Sequence, residues 1–511
     1  MLLHHMLSYW SDQSPNKTAL IQEERKQSYR ELENRSVRLA FALKEELGIC
    51  QGDRVGVLSS NCIEMVELLF AISRVGAIMV PLNIRLTAKE LQFIAGDAAV
   101  KTLFFKDEQA SLAADLAALV EIPHMVQFFG IPDHNIIAYE SLVRKADKLS
   151  LTEPSDLTED SALMFIYTSG TTGNPKGAIL SHGNNLWNCV LGAQLMEIGQ
   201  YDVSITVLPL FHIGGWGLFL LPTLFQGGTV LIISGFDVSR VFKDCNEHKV
   251  TVFMGVPTIL NEIRLSPEFK STRLPTVRLF CSGGAPCPVS LIEAYHENGY
   301  ELTQGFGMSE TSPIALLMRV EDSREKKGSA GKPGICCRAR IVDEKMNDLP
   351  PNGIGELVMQ GNVVCQGYWN RSKATEEAFM GGWFHSGDLG YKDEDGFFYI
   401  VDRKKDMLIS GGENVYPAEI ESVLYQHLAI AEVSVFGIPS EKWGESPMAV
   451  IVLKQGSSLT EDELKIWIQD KLARYKQPKI IRFVDGLPKT ASGKILKREL
   501  KLKYAEGSHE N

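Results

Sequence analysis

The segment Tyr167-Thr168-Ser169-Gly170-Thr171-Thr172-Gly173-Asn174-Pro175-Lys176-Gly177 follows the apolar run Ala162-Leu163-Met164-Phe165-Ile166, which reads as a buried strand. Three glycines let the backbone turn tightly and come close to a ligand. Thr168, Ser169, Thr171 and Thr172 place four hydroxyl donors in one short span, and Lys176 adds a mobile positive charge. Amides, hydroxyls and a lysine together suit a polyphosphate. A plain Ser/Gly surface loop has similar composition, but this density of hydroxyls and glycines, closing on Pro-Lys-Gly after a buried strand, favours the phosphate reading. The Gly-Lys-Ser/Thr ending of a P-loop NTPase is absent, so that reading loses its main support.

Around this stretch the chain has the bulk of a multi-domain protein: 511 residues, of which 44% are hydrophobic. A net charge of -11 argues against a nucleic-acid binder, which would carry a basic face. The nine cysteines are scattered without a Cys-x-x-Cys pair and fit reduced thiols in a cytoplasmic protein better than disulfides or zinc. The N-terminal residues lack a basic flank and a long apolar segment, so no signal peptide is expected. The most apolar region, 208–233, is broken by Pro209, His212, Pro222 and Gln226, so no transmembrane segment is expected there.

In chain order, Ser28 and Glu31 form a capping pattern for a helix over 28–47. A strand at Val55–Leu58, a helix at Ile63–Val75 and a strand at Ala77–Pro81 suggest a parallel sheet covered by helices. Strand-like runs recur at 102–105 and 125–129, and a helix opens at Leu180-Ser181-His182. Val252–Pro257 reads as a strand, and Leu279-Phe280-Cys281 leads into the small-residue turn Ser282-Gly283-Gly284-Ala285. Such turns mark the carboxyl edge of a parallel sheet, where open α/β folds bind ligands. Residues 406–511 alternate helix (418–425, 460–472) and strand (433–436, 448–453, 480–483), which suits a compact α+β domain.

Tyr167–Gly177 resembles the phosphate loop of the adenylate-forming superfamily, which contains acyl-CoA synthetases, peptide-synthetase adenylation domains and beetle luciferases. Further motifs follow in the order of that superfamily, so the resemblance covers nearly the whole chain and is nearest to bacterial fatty-acyl-CoA synthetases. They are Pro209-Leu210-Phe211-His212, Gln304-Gly305-Phe306-Gly307-Met308-Ser309-Glu310, Ser386-Gly387-Asp388, Asp402-Arg403-Lys404-Lys405-Asp406 and Pro488-Lys489-Thr490-Ala491-Ser492-Gly493-Lys494. The superfamily usually has Tyr-Gly-x-Thr-Glu where this chain has Phe306-Gly307-Met308-Ser309-Glu310. Phe306 keeps an aromatic face for adenine, and Ser309 keeps a hydroxyl for the α-phosphate.

The resemblance implies an α/β fold: a large N-terminal domain over 1–402 with parallel-rich sheets and a β-rich subdomain, a hinge at 403–406 turning on Lys405, and a small mobile α+β lid over 407–511. It implies Lys494, Glu310, Lys176 and His212 as catalytic groups, with Glu310 as the Mg²⁺ ligand. ATP would be held by Thr168, Ser169, Gly170, Thr171, Thr172, Gly173, Lys176, Gly283, Gly284, Ala285, Gln304, Gly305, Phe306, Gly307, Ser309, Asp388, Arg403 and Lys494. Asp388 matches the carboxylate that accepts both ribose hydroxyls, a task for an acceptor-only group. His212, Gly214, Gly283, Gly307 and Met308 would face the acyl group, with room left by Gly214, Gly215 and Gly217. The Ser410-Gly411-Gly412-Glu413-Asn414-Val415-Tyr416 loop would meet the site when thioester is made. Most of the 355–369 stretch reads as structural.

The reaction implied has two halves. A carboxylate attacks the α-phosphate of ATP to give acyl-AMP and pyrophosphate, which needs mainly positioning and charge neutralisation. Coenzyme A then displaces AMP. The expected acid is a medium- or long-chain fatty acid, with an aryl or succinylbenzoate-type acid as the second reading and the loading of a carrier protein as a third. An amino-acid adenylation module would want a pocket carboxylate, which Phe211–Gly215 does not offer. A luciferase-like oxygenase would share every motif, whereas a non-catalytic nucleotide sensor would be expected to lose Lys494, Glu310 or Asp388. A homodimer is compatible with the sequence.

Overall fold

The computed structural model describes residues 1–144, 154–168, 174–410, 413–440, 443–489 and 495–505. Its first sheet grows from the strand–helix–strand unit Arg54–Leu58, Ile63–Val75 and Ile78–Pro81, whose two strands pair in parallel. All residues of that helix are buried, as expected for a helix enclosed by other layers. Its charged members are paired: Glu64 with Arg25 at 2.7 Å, Glu67 with Arg35 at 2.6 Å, and Arg74 with Glu33 at 2.5 Å. Gly76 ends the helix at φ 76°, a left-handed conformation that glycine adopts without penalty. Strands 100–105, 124–127 and 137–138 extend this sheet on one side, and 162–168 and 176–181 close it on the other.

The second sheet has nine strands, in the order 332–333, 316–317, 302–306, 279–282, 252–255, 203–206, 229–232, 18–22 and 25–28. Its central strands pair in parallel from Thr18–Gln22 through Leu302–Phe306. A four-stranded antiparallel sheet follows, built from 337–342, 355–361, 384–392 and 398–403. The small C-terminal domain has its own sheet, dominated by the hairpin Ile430–Ser440 with Gly444–Leu453, and its own core around Ile420, Val435, Ile451 and Ile468. The architecture is thus α/β with parallel-rich sheets, a β-rich subdomain and a separate α+β domain.

Ser28 and Glu31 form the expected capping box, on a helix spanning Tyr29–Glu45. Three local readings differ. The strand expected over 252–257 stops at Gly255, because Pro257 takes the first position of the next helix, Pro257–Leu265. The helix expected over 460–472 is Glu461–Ile468. Lys176–Ser181, which carried no strand expectation, is a strand antiparallel to Ala162–Thr168. All nine cysteines are free. Among the described residues no helix is long and apolar enough to cross a membrane.

Candidate active site

Thr168 lies opposite Lys176 at the open end of the 162–168/176–181 hairpin, which forms one edge of the first sheet. The described residues on either side of the expected phosphate loop are therefore the paired ends of two antiparallel strands. Ser169, Gly170, Thr171, Thr172 and Gly173 lie outside the described residues. The loop-side end of the hairpin is anchored to Asp97. The Tyr167 hydroxyl donates to Asp97 Oδ2 at 2.7 Å, Arg371 Nη2 donates to Oδ1 at 2.8 Å, and the Trp369 indole donates to the Asp97 carbonyl at 3.0 Å.

At the carboxyl ends of the second sheet's strands lies a cavity with an empty volume of about 790 Å³, mouth included. His212, Gly214, Gly283, Gly284, Gly305, Phe306, Gly307, Met308 and Ser309 all line it, so the structure gathers most of the expected acyl and adenine residues around one space. Leu218, Met254, Leu316 and Leu317 supply further apolar wall. Among the described residues that line it none is Asp, Glu, Lys or Arg. Gly307 has no room for a side chain, since a Cβ there would sit 1.6 Å from the Pro313 carbonyl oxygen. The glycines after His212 divide differently from expectation. Gly214 lines the cavity, whereas a Cβ on Gly215 would meet the Pro209 carbonyl at 2.5 Å, and one on Gly217 would meet Pro313 Cδ at 2.2 Å. Gly217 thus serves helix packing rather than substrate space. The helix beyond them is widened over Trp216–Leu220 into a π-type turn, a feature common at functional sites.

Ala285 and Gln304 do not line the cavity. Gln304 braces its rim: Oε1 accepts from the Cys287 amide at 3.3 Å, and Nε2 donates to the Ser329 carbonyl at 2.9 Å.

Glu310 sits in the short 3₁₀ turn Ser309–Thr311 and is 5% exposed. Its Oε1 accepts from the Tyr368 hydroxyl at 2.9 Å, and its carbonyl accepts from the Cys365 amide at 2.8 Å. Burial and the Glu310 charge push the Tyr368 hydroxyl far above its ordinary range, so it stays protonated and donates. No cationic side chain among the described residues pairs with Glu310. A nearly buried carboxylate left without a cation suits a metal, and Mg²⁺ characteristically takes one or two protein carboxylates and completes its shell with phosphates and water. Among the described residues no group of three or more acidic, His or Cys side chains could form a separate all-protein metal site.

Asp388 is 4% exposed on the four-stranded sheet, and its Oδ1 meets Arg403 Nε at 2.6 Å. The two residues expected at the ribose and phosphate therefore stand together. Lys405 is exposed in the turn between strands Phe398–Arg403 and Leu408–Ser410, which is where the chain passes from the four-stranded sheet to the C-terminal sheet. Beside it, Asp402 Oδ2 accepts from the Ala418 amide at 2.8 Å, and Lys497 pairs with Glu421 at 2.8 Å. Burial raises the Asp402 carboxyl, while Glu421 and Asp402 hold Lys497 above its ordinary value despite burial. Lys494 lies outside the described residues. Its loop is closed at the base, where Lys489 and Ile495 pair antiparallel and Lys489 meets Glu432 at 2.6 Å. Lys489 and Glu432 interact electrostatically with Glu262 on helix Pro257–Leu265 of the large domain. Gly411 and Gly412 also lie outside the described residues.

Asp97 has no motif around it, and Tyr368 and Asp402 stand in stretches whose reading gave them no role. Tyr368 falls in a stretch that reads as β structure, and its contact with Glu310 spans 58 positions, which no local spacing reveals.

The fold is that of an adenylate-forming ligase, and the chain belongs to the AMP-binding enzyme family. Residues 7–369 match the AMP-binding enzyme family model, and residues 419–494 match that of the AMP-binding enzyme C-terminal domain. A feruloyl-CoA synthase of Amycolatopsis sp is 39% identical over 96% of both chains. A long-chain-fatty-acid–CoA ligase of Mycobacterium tuberculosis is 35% identical over 90% of both. A solved anthranilate CoA ligase holding anthranoyl-AMP superposes with a TM-score of 0.92 at 28% identity, covering 98% of this chain and 97% of that one. Solved members of the family hold ATP and magnesium. The chain is accordingly an AMP-forming acid–thiol ligase, which joins a carboxylic acid to coenzyme A with ATP and Mg²⁺.

Proposed function

We propose that the acid is an aromatic monocarboxylic acid of the cinnamate or arylacetate kind. The observation that carries this is the cavity's described lining, which is mostly apolar side chains and glycine backbone, with His212, Ser282 and Ser309 as its polar side chains and no Asp, Glu, Lys or Arg. A flat ring fits between glycine walls such as Gly283-Gly284 and Gly305–Gly307. A second carboxylate, as in a succinylbenzoate, would be buried there without a cation, at a cost of several kcal/mol by order of magnitude. The aromatic substrates in the names of the feruloyl and anthranilate ligases support the same reading. A fatty acid, the first expectation from sequence, is the second reading and is favoured by the similarity to a long-chain-fatty-acid ligase.

In this reading Lys176 and the hydroxyls of the phosphate loop neutralise and orient the triphosphate, and Phe306 stacks on adenine. Asp388 accepts the ribose hydroxyls, with Arg403 beside it. Glu310 holds Mg²⁺, which supplies charge neutralisation at the phosphates when bound. His212 and Met308 orient the acid so that its carboxylate meets the α-phosphate in line. Lys494 stabilises charge developing on the phosphates. The C-terminal domain then turns about Lys405 and brings the 410–416 loop to the site for thioester formation.

With purified protein, ATP, Mg²⁺ and coenzyme A, AMP release should be fastest with cinnamate-type or arylacetic acids. Succinylbenzoate and malonate should be slower by at least about 10²-fold, which is about 2.7 kcal/mol. A dodecanoate rate above every aromatic acid would replace this reading with the fatty-acid one.

Asp388→Ala should weaken ATP binding by about 1.5–3 kcal/mol for each charged hydrogen bond lost. Isothermal titration showing wild-type affinity would remove Asp388 from the ribose.

A further inference from the structure

We propose that Tyr368 is a positioning residue of the adenylation step, holding Glu310 by its hydroxyl while its ring keeps Lys176 apart from that carboxylate. The proposal rests on the reading above, in which Glu310 takes the metal and Lys176 the phosphates. Two contacts of one side chain carry it. The hydroxyl donates to Glu310 Oε1 at 2.9 Å, and the Lys176 ammonium lies over the ring at 5.3 Å from its centroid. The first fixes which way the carboxylate points. The second gives Lys176 a neutral resting place of the cation–π kind. Among the described residues no carboxylate pairs with Lys176 and no cation pairs with Glu310. A lysine over the face of one ring and a nearly buried carboxylate bonded to its hydroxyl would otherwise gain by pairing directly, and each would then be spent on the other.

The backbone explains why residue 368 can do this. Residues 366–369 run across the strand that follows the expected phosphate loop. The Ile179 amide donates to the Gly367 carbonyl at 2.9 Å, the Trp369 amide donates to the Gly177 carbonyl at 2.8 Å, and Ala178 bridges Tyr368. The Thr375 hydroxyl accepts from the Tyr368 amide at 2.9 Å and fixes the turn from behind. Gly367 has φ 131°, and a Cβ on it would meet Thr375 Cγ2 at 2.5 Å, so the strap closes tightly only with glycine there. One segment thus registers the hairpin carrying Lys176 against the turn carrying Glu310, although the hairpin belongs to the first sheet and the turn follows a strand of the second.

The test compares Tyr368→Phe, Tyr368→Leu and Glu310→Gln. Mn²⁺ binding is read by electron paramagnetic resonance in the presence of a non-hydrolysable ATP analogue, and analogue affinity is read separately at saturating Mg²⁺. Tyr368→Phe keeps the ring and should weaken the metal roughly tenfold, the size expected for one hydrogen bond to a charged group, while analogue affinity stays within about twofold. Tyr368→Leu removes the ring as well and should weaken both. Glu310→Gln should weaken the metal at least as much as Tyr368→Phe. If Glu310→Gln shifts the metal and Tyr368→Phe does not, the proposal falls and the site reading stands. If Glu310→Gln leaves metal binding unchanged, the site reading falls and takes the proposal with it. Equal losses of metal, analogue and thermal stability in Tyr368→Phe would make Tyr368 a packing residue only, and would also overturn the proposal.

Discussion

Lys494→Ala should lose acyl-AMP formation from ATP by at least about 10²-fold, the scale of removing one preorganised electrostatic group. The same protein should still turn supplied acyl-AMP and coenzyme A into thioester, because the carbonyl is then already activated and the lysine's charge has no developing phosphate to meet. Lys405→Pro should behave in the opposite sense. Proline fixes φ, and the turn at 404–406 joins the four-stranded sheet to the C-terminal sheet, so a rigid residue there restricts the rotation of one against the other. The Asp402–Ala418 hydrogen bond and the Lys497–Glu421 pair lie directly beside this turn. The Lys489–Ile495 bridge that flanks the lysine carries a charge within electrostatic reach of Glu262 on the large domain. A protein stiffened in that arrangement adenylates and then stalls. Single-turnover kinetics of each half-reaction separate the two variants. Equal loss of both steps in both variants would contradict a turning domain and leave Lys405 as a surface residue.

Gly307→Ala should damage both the fold and the acyl cavity. The added Cβ would lie 1.6 Å from the Pro313 carbonyl oxygen, a backbone atom that cannot swing aside as a side-chain end can. The strand Leu302–Phe306 and the 3₁₀ turn bearing Glu310 would have to separate, and Ser309 and Met308 would leave their places on the cavity wall. Overpacking of this kind costs about 1–3 kcal/mol, and a backbone clash belongs at the top of that range or above it. The expected result is a lowered thermal midpoint together with loss of AMP formation. Gly235→Ala is the control, because a Cβ there meets nothing within 4 Å. Wild-type stability and activity in Gly307→Ala would mean that the 307–313 turn is not as close as described.

Much of the fold was legible because its signals are local. The Ser28/Glu31 capping box and the apolar strand–helix–strand at 54–81 each lie within a few residues of what they determine. Part of the cavity was legible for a related reason: small residues directly after a parallel strand mark its carboxyl end, and Gly283-Gly284 line the space, whereas His212, Gly307 and Met308 were read from the family resemblance. Other features depend on partners far away in sequence. Gly217 reads as space for a substrate until Pro313 is seen against it. Lys176–Ser181 is short and half polar, and its strand state comes from pairing with Ala162–Thr168. Asp97 binds Tyr167 and Arg371 across 70 and 274 positions and has no motif around it. The acid was the least legible element, because Phe211-His212 and the glycines behind it are compatible with an acyl chain as well as a ring. That no Asp, Glu, Lys or Arg stands among the cavity's described walls is a property of four separate segments.

The central claim is that one cavity serves an aromatic acid through an adenylate that forms before the thiol arrives. It is tested most directly by mixing stoichiometric protein with radiolabelled ferulate, ATP and Mg²⁺ in the absence of coenzyme A, quenching, and then chasing a parallel sample with coenzyme A. The account predicts protein-bound feruloyl-AMP with matching pyrophosphate in the first sample and its conversion to feruloyl-CoA and AMP in the second. Label found as adenylate with dodecanoate but not with ferulate would contradict the proposed substrate class, and absence of any adenylate until coenzyme A is added would contradict the two-step account.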